Sequence, residues 1–191
     1  MRRAHLRQSE LRAVELLCEQ GFASIFDLAH PVLQRFRLPV EVCFESFGGF
    51  WEKTGLSRAA LPPHCGAEGM TVRHGGKYLV LYDETVESER RRAFTLAHEI
   101  GHILLAHGGG EDAATEEREA NAFAAALLAP EVAVRYLAHR DGCQIDEQLL
   151  TTAFFLSREA ACNRVRDLEK RGRQKPATVE ITLLLQLFGK L

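Results

Sequence analysis

The sequence predicts an α+β fold, a mainly helical single domain with a small mixed sheet or hairpin packed beside one central helix. Three observations lead there. The chain has 191 residues, enough for one full domain and few for two. Strand-like patterns fall at 38–44, 70–73 and 77–83, while most of the other apolar runs recur at helical spacing. The stretch 93–106 is apolar nearly all round, the pattern of a helix buried on several sides.

Composition narrows the function classes. The chain is 46% hydrophobic and 26% charged, ordinary for a globular protein. With 24 basic and 26 acidic residues it has no global excess of positive charge that would point to nucleic acid. Cys18, Cys43, Cys65, Cys143 and Cys162 are scattered without a C-x-x-C pair, which argues against a cysteine zinc site and suits free thiols in a reducing cytosol. His64-Cys65 reads as plain loop rather than a redox or metal pair. The N-terminus turns polar where a signal peptide needs an apolar run, and the longest apolar stretch, 181–188, falls far short of the ~18 residues of a membrane span. The expectation is a cytoplasmic protein with no membrane partner.

Taken in order, 11–20 is a helix with Leu11, Val14, Leu17 and Cys18 on one stripe, ended by Gly21. A second short helix is expected over 24–36, with Pro31 early in it or breaking it. The segment 38–44 alternates as a strand. Glycines and prolines make 46–69 a loop, with one helical turn at 57–61 and with Phe47, Phe50 and Trp51 packed beneath it. His74-Gly75-Gly76 is a tight turn joining 70–73 to 77–83 in a hairpin, whose open edge can hold an extended peptide by strand addition. The central helix begins near Ser88 or Glu89. Its Arg90-Arg91-Arg92 run reads as a solvated first turn, and Gly108-Gly109-Gly110 stops it. Helices follow at 112–128, stopped by Pro130, at 132–138, and at 146–153 leading into one capped by Ser157. The last two resemble a helix-turn-helix, read as a packing or partner-binding element rather than a DNA reader. The basic run 170–176 reads as a solvated linker, and 181–188 as a last strand or helix.

The chemistry lies in the central helix. His98 and His102, four apart, stand one above the other, so both imidazoles can share a zinc ion, while Glu99 is placed to touch a metal-bound water. Gly101 costs about 1 kcal/mol against alanine in a helix interior, and close approach by another backbone is one reason to accept it. His107 lies outside the pair's phase and reads as a helix-end residue. A catalytic zinc usually takes three protein ligands and a water. The third is expected from the 112–128 helix, where Glu117 falls within the stripe of Ala113, Ala120, Phe123, Ala124, Leu127 and Leu128. Glu119 reads as a solvated flank residue. Asn121, four beyond Glu117, can hold a histidine's free ring N–H.

The motif Phe94-Thr95-Leu96-Ala97-His98-Glu99-Ile100-Gly101-His102, followed by Glu117-Arg118-Glu119-Ala120-Asn121-Ala122-Phe123-Ala124 and Leu127-Leu128-Ala129-Pro130, resembles the ImmA/IrrE family of bacterial metallopeptidases. The segment 155–165 resembles a further helix of that family. The resemblance covers roughly 40–170 and implies a division into an N-terminal helical extension (1–35), a zinc metallopeptidase domain (36–175) and a C-terminal tail (176–191). It implies a gluzincin-like site, with His98, His102 and Glu117 on Zn2+ and Glu99 as general base. It also implies a protein substrate, a transcriptional repressor of the helix-turn-helix type in mobile-element or stress control. Tyr136 and His139 are candidate oxyanion donors because they follow the site. The alternative is a metal-binding regulator that acts on a repressor or on DNA without proteolysis. DNA contact is not favoured, and the oligomeric state is left open.

Overall fold

The computed structural model describes residues 5–55, 68–108, 112–172 and 174–189. The first helix, α1 (Leu6–Gln20), starts five residues earlier than its apolar pattern suggests, because it buries polar Ser9 and Glu10 as well as Ala13, Val14, Leu16 and Leu17. It ends at Gly21, in the left-handed region at φ 70°. The expected 24–36 helix is two pieces: α2 (Ile25–Ala29), capped by Ser24, and a 3₁₀ turn at Leu33–Arg35. Pro31 lies between them, where it cannot extend the helix before it.

Strand β1 (Val42–Ser46) runs later than expected and leads straight into α3 (Phe47–Thr54), inside a stretch that reads as loop. Two local interactions explain this helix despite Gly48-Gly49. The Ser46 side chain accepts a hydrogen bond from the Gly49 N–H at 3.0 Å, and Gly55 closes the far end at φ 69°. Phe47 and Trp51, one turn apart, stack with centroids 5.4 Å apart, which is packing rather than a groove wall. The 57–61 turn and the His64-Cys65 pair lie outside the described residues.

β2 (Gly69–His74) and β3 (Lys77–Tyr82) form the expected hairpin, with His74 opposite Lys77. Gly75 and Gly76 both take positive φ, as a two-residue type I′ turn requires. β1 pairs with β3 in parallel, giving a mixed three-stranded sheet in the order β1-β3-β2 with β2 at one edge.

This sheet lies on one side of α4 (Glu89–Leu104), capped by Ser88, and α5 (Ala113–Leu128) lies on the other. The helices meet at Gly101. A Cβ there would come within 3.1 Å of the Phe123 ring and 3.3 Å of the Ala120 Cα. The arginine run is not simply solvated: Arg90 donates to the Thr151 and Leu156 carbonyls, Arg91 pairs with Glu68, and Arg92 with the Val86 carbonyl.

Past Pro130 come α6 (Glu131–Arg140), α7 (Glu147–Ala153), α8 (Arg158–Arg171) and α9 (Thr178–Phe188). α1 packs along α5, and α9 packs on α1. Buried Arg164 of α8 donates to buried Glu10 of α1 at 2.6 Å, and Arg171 pairs with the same carboxylate. The sequence therefore contributes its first and last helices to one shared core. Among the described residues no helix is long and apolar enough to cross a membrane.

Candidate metal centre

One face of α4 turns toward the N-terminal half of α5, where Glu117 is the fifth residue. The Nε2 atoms of His98 and His102 lie 2.9 Å apart, and each is 3.3 Å from an oxygen of Glu117. The spacing along α4 puts the rings on one face, and the Gly101 contact brings α5 close enough for Glu117 to reach both. Glu117 does not face the core as its stripe implies. Its side chain is 57% exposed, at the open mouth of the cluster. The buried face of α5 is rotated toward Thr115, Glu119, Ala122 and Ala126 because both α1 and α4 pack on it.

Burial pushes both imidazoles below the ordinary histidine range, and for His98 the neighbouring His102 adds to the effect. Both rings are thereby held neutral near pH 7, with lone pairs available. His98 Nδ1 lies 3.1 Å from the Asn121 Oδ1, to which it can donate, turning its Nε2 toward the cluster. Two ring nitrogens and a carboxylate converging in this way can hold a metal ion.

Glu99, one residue on from His98, turns toward the sheet while staying within electrostatic reach of His98 and Glu117. It is 8% exposed and accepts a hydrogen bond from the Thr71 hydroxyl of β2 at 2.6 Å. Burial pushes its carboxyl above the ordinary range, and the Thr71 bond pulls it partly back. Gly69 lets β2 come this close, since a Cβ there would clash with Thr95 Cγ2 and lie 3.2 Å from Glu99 Oε1.

Two residues read differently in sequence also belong here. α4 ends at Leu104, before the glycine run, because Ala106 turns into the left-handed region at φ 55°. The Ala106 N–H then bonds the Ile103 carbonyl and the His107 N–H bonds the His102 carbonyl, the two bonds of a Schellman turn. That turn folds His107 back over His102, with their Nδ1 atoms 3.0 Å apart. The far nitrogen of His107 lies 3.2 Å from Glu119 Oε2, and both side chains are 3% exposed. Glu119 is thus a buried residue and not a solvated flank. Neither contact follows helical periodicity, so only the αL turn at Ala106 reveals them.

Tyr136 and His139 are not brought to this cluster. The Tyr136 ring packs on Phe188 with centroids 4.2 Å apart, and Tyr136 and His139 line a separate cavity of about 190 Å³ with Arg7, Glu131 and Glu180. They follow the site in sequence, but α6 packs on α9 instead of returning to α4.

A two-histidine helix joined by a carboxylate from the next helix, with a further carboxylate beside it, places the molecule among the metallopeptidases. Over residues 37–166 the chain matches the family Peptidase M78, described as the IrrE N-terminal-like domain, and it belongs to that family. No curated protein matches the chain.

Proposed function

We propose that the protein is a zinc-dependent endopeptidase of the cytoplasm whose substrate is a helix-turn-helix transcriptional repressor. The convergence of His98, His102 and Glu117 next to the buried Glu99 carries the peptidase part of this reading. Two imidazoles and a carboxylate suit zinc, and three protein donors leave a fourth position for chemistry. His98, His102 and Glu117 would hold the ion. When bound, zinc supplies an acidified water and Lewis-acid stabilisation of the developing oxyanion. Glu99 takes the proton of the attacking water and delivers it to the leaving amine. Its raised proton affinity, from burial, makes it the stronger base, and Thr71 fixes its orientation.

The surroundings favour cleavage within a chain. Glu117 opens to solvent, and β2 is an edge strand linked to Glu99 through Thr71, so a peptide paired along that edge passes the base. A cavity of about 690 Å³ is lined by Thr95 and by Asn121, the partner of His98, and by Asn163 and Asp167 of α8, with room for substrate side chains. The repressor is supported by the resemblance of 94–102 and 117–130 to ImmA/IrrE proteins, which act on such partners.

Two substitutions test the reading. Glu99→Gln should keep bound metal and lose cleavage of a candidate repressor, read by metal analysis and by sequencing released peptides. If repressor inactivation survives Glu99→Gln, the protein acts as a metal-binding regulator without proteolysis. Glu117→Ala should come back without metal and Glu116→Ala with it; a fully loaded Glu117→Ala would remove Glu117 from the ligand set.

A further inference from the structure

We propose that Glu119 and His107 are positioning residues that fix the tautomer of His102 and so present its Nε2 to the metal. This rests on the metal reading of the site, but its central claim concerns the metal-free protein. Glu119 Oε1 accepts the His5 backbone N–H at 2.7 Å, and Oε2 lies 3.2 Å from His107 Nε2. An ionised carboxylate only accepts hydrogen bonds, so the proton between Glu119 and His107 sits on His107 Nε2. The relay takes His107 with a single ring proton, which makes its other nitrogen an acceptor. His107 Nδ1 faces His102 Nδ1 at 3.0 Å, so the proton shared there belongs to His102. That leaves the His102 Nε2 lone pair directed at His98 Nε2 and Glu117.

The same outcome is reached for His98 by a simpler route, with Asn121 Oδ1 accepting from its Nδ1. The two ligand histidines are therefore oriented by different partners, His98 by one residue of α5 and His102 by a relay from α5 through the Schellman turn. The relay also ties the start of α1 to the site, because the His5 N–H occupies the other oxygen of Glu119. Asp or Glu behind a metal-bound histidine raises ligand basicity and fixes the ring, and losing such a partner typically costs 10–100-fold in metal affinity.

The test uses His107→Phe, which has a ring of similar size but no acceptor, and Glu119→Gln, whose amide offers one acceptor oxygen in place of the carboxylate's two. His107→Gln is the rescue, since its amide can both accept from His102 and donate to Glu119. In wild-type metal-free protein at pH 8, nitrogen–proton correlation NMR should find the His102 proton on Nδ1. In folded His107→Phe it should no longer be held there. Competition against a chelator should give a zinc Kd raised 10–100-fold for His107→Phe and Glu119→Gln, and within a few-fold of wild type for His107→Gln. Melting of the metal-free variants establishes that each is folded. A wild-type His102 carrying its proton on Nε2, or wild-type zinc affinity in folded His107→Phe, overturns the relay. Should the wild type fail to bind metal, the zinc reading falls, and the NMR result still decides the relay.

Discussion

At the scale of single residues, the site is a problem of protonation. His98 and His102 are pushed down by burial, so the folded, metal-free protein resists taking protons that the unfolded chain accepts near pH 6.5. Between the two sets of values the unfolded state binds more protons. The stability contributed by the pair is therefore complete above about pH 6.5 and is lost as pH falls through the lowered folded values. Glu99 has the opposite sign, since its raised proton affinity favours the folded state as pH drops toward the ordinary carboxylate range. The expected outcome is that metal-free protein needs less urea to unfold at pH 5.5 than at pH 7.5. Replacing both histidines with glutamine should flatten that difference; an unchanged slope would show that the two rings are not the source. The residue scale is also where sequence reading divided most sharply. His98, His102, Glu99, Glu117 and Asn121 were legible from spacing and motif. His107 and Glu119 were not, because the contact between them depends on one alanine in the left-handed region, which costs roughly 1–2 kcal/mol and has no sequence signature.

At the scale of elements, the crossing of α4 and α5 sets the distance between the histidine pair and Glu117. Gly101 is the closest point, facing the Ala120 backbone and fully buried Phe123. Gly101→Ala should gain about 1 kcal/mol in helix propensity and lose about 1–3 kcal/mol to overpacking, since both neighbours are fully buried. A net loss of about 1 kcal/mol is expected in chemical denaturation, together with weaker metal binding as Glu117 is pushed outward. Equal stability with unchanged metal affinity would show that the crossing has slack. The hairpin was readable to the residue because Gly75-Gly76 satisfies a specific turn geometry. α3 was not, because Gly48-Gly49 signals a loop locally and becomes helical only when Ser46 caps it.

At the scale of the molecule, the first and last helices close the core around the site. Glu10, 2% exposed, pairs with Arg164, 1% exposed, joining α1 to α8 behind α5. Glu10→Ala leaves a guanidinium buried without its carboxylate, which typically costs 3–5 kcal/mol. A fall of that order in unfolding free energy is expected, and a loss under 1 kcal/mol would mean that α8 relaxes to expose Arg164. Replacing Glu10 and Arg164 together with apolar residues should recover part of the loss, since buried pairs are often no better than well-packed side chains.

The sequence alone determined the class of fold, the central helix, the hairpin and the donor residues of the candidate site. It could do so because helical phase, turn chemistry and the spacing of His98-Glu99-x-x-His102 are local properties of a chain. Only the tertiary structure decided that α1 and α9 belong to the core, that Glu117 stands at an open mouth, and that Tyr136 and His139 face elsewhere. It alone brought Thr71 to Glu99, and Glu119 through His107 to His102. Those contacts join residues from separate elements across a strand edge or a left-handed turn. Such contacts are fixed by how the elements pack, and no periodicity in the sequence records them.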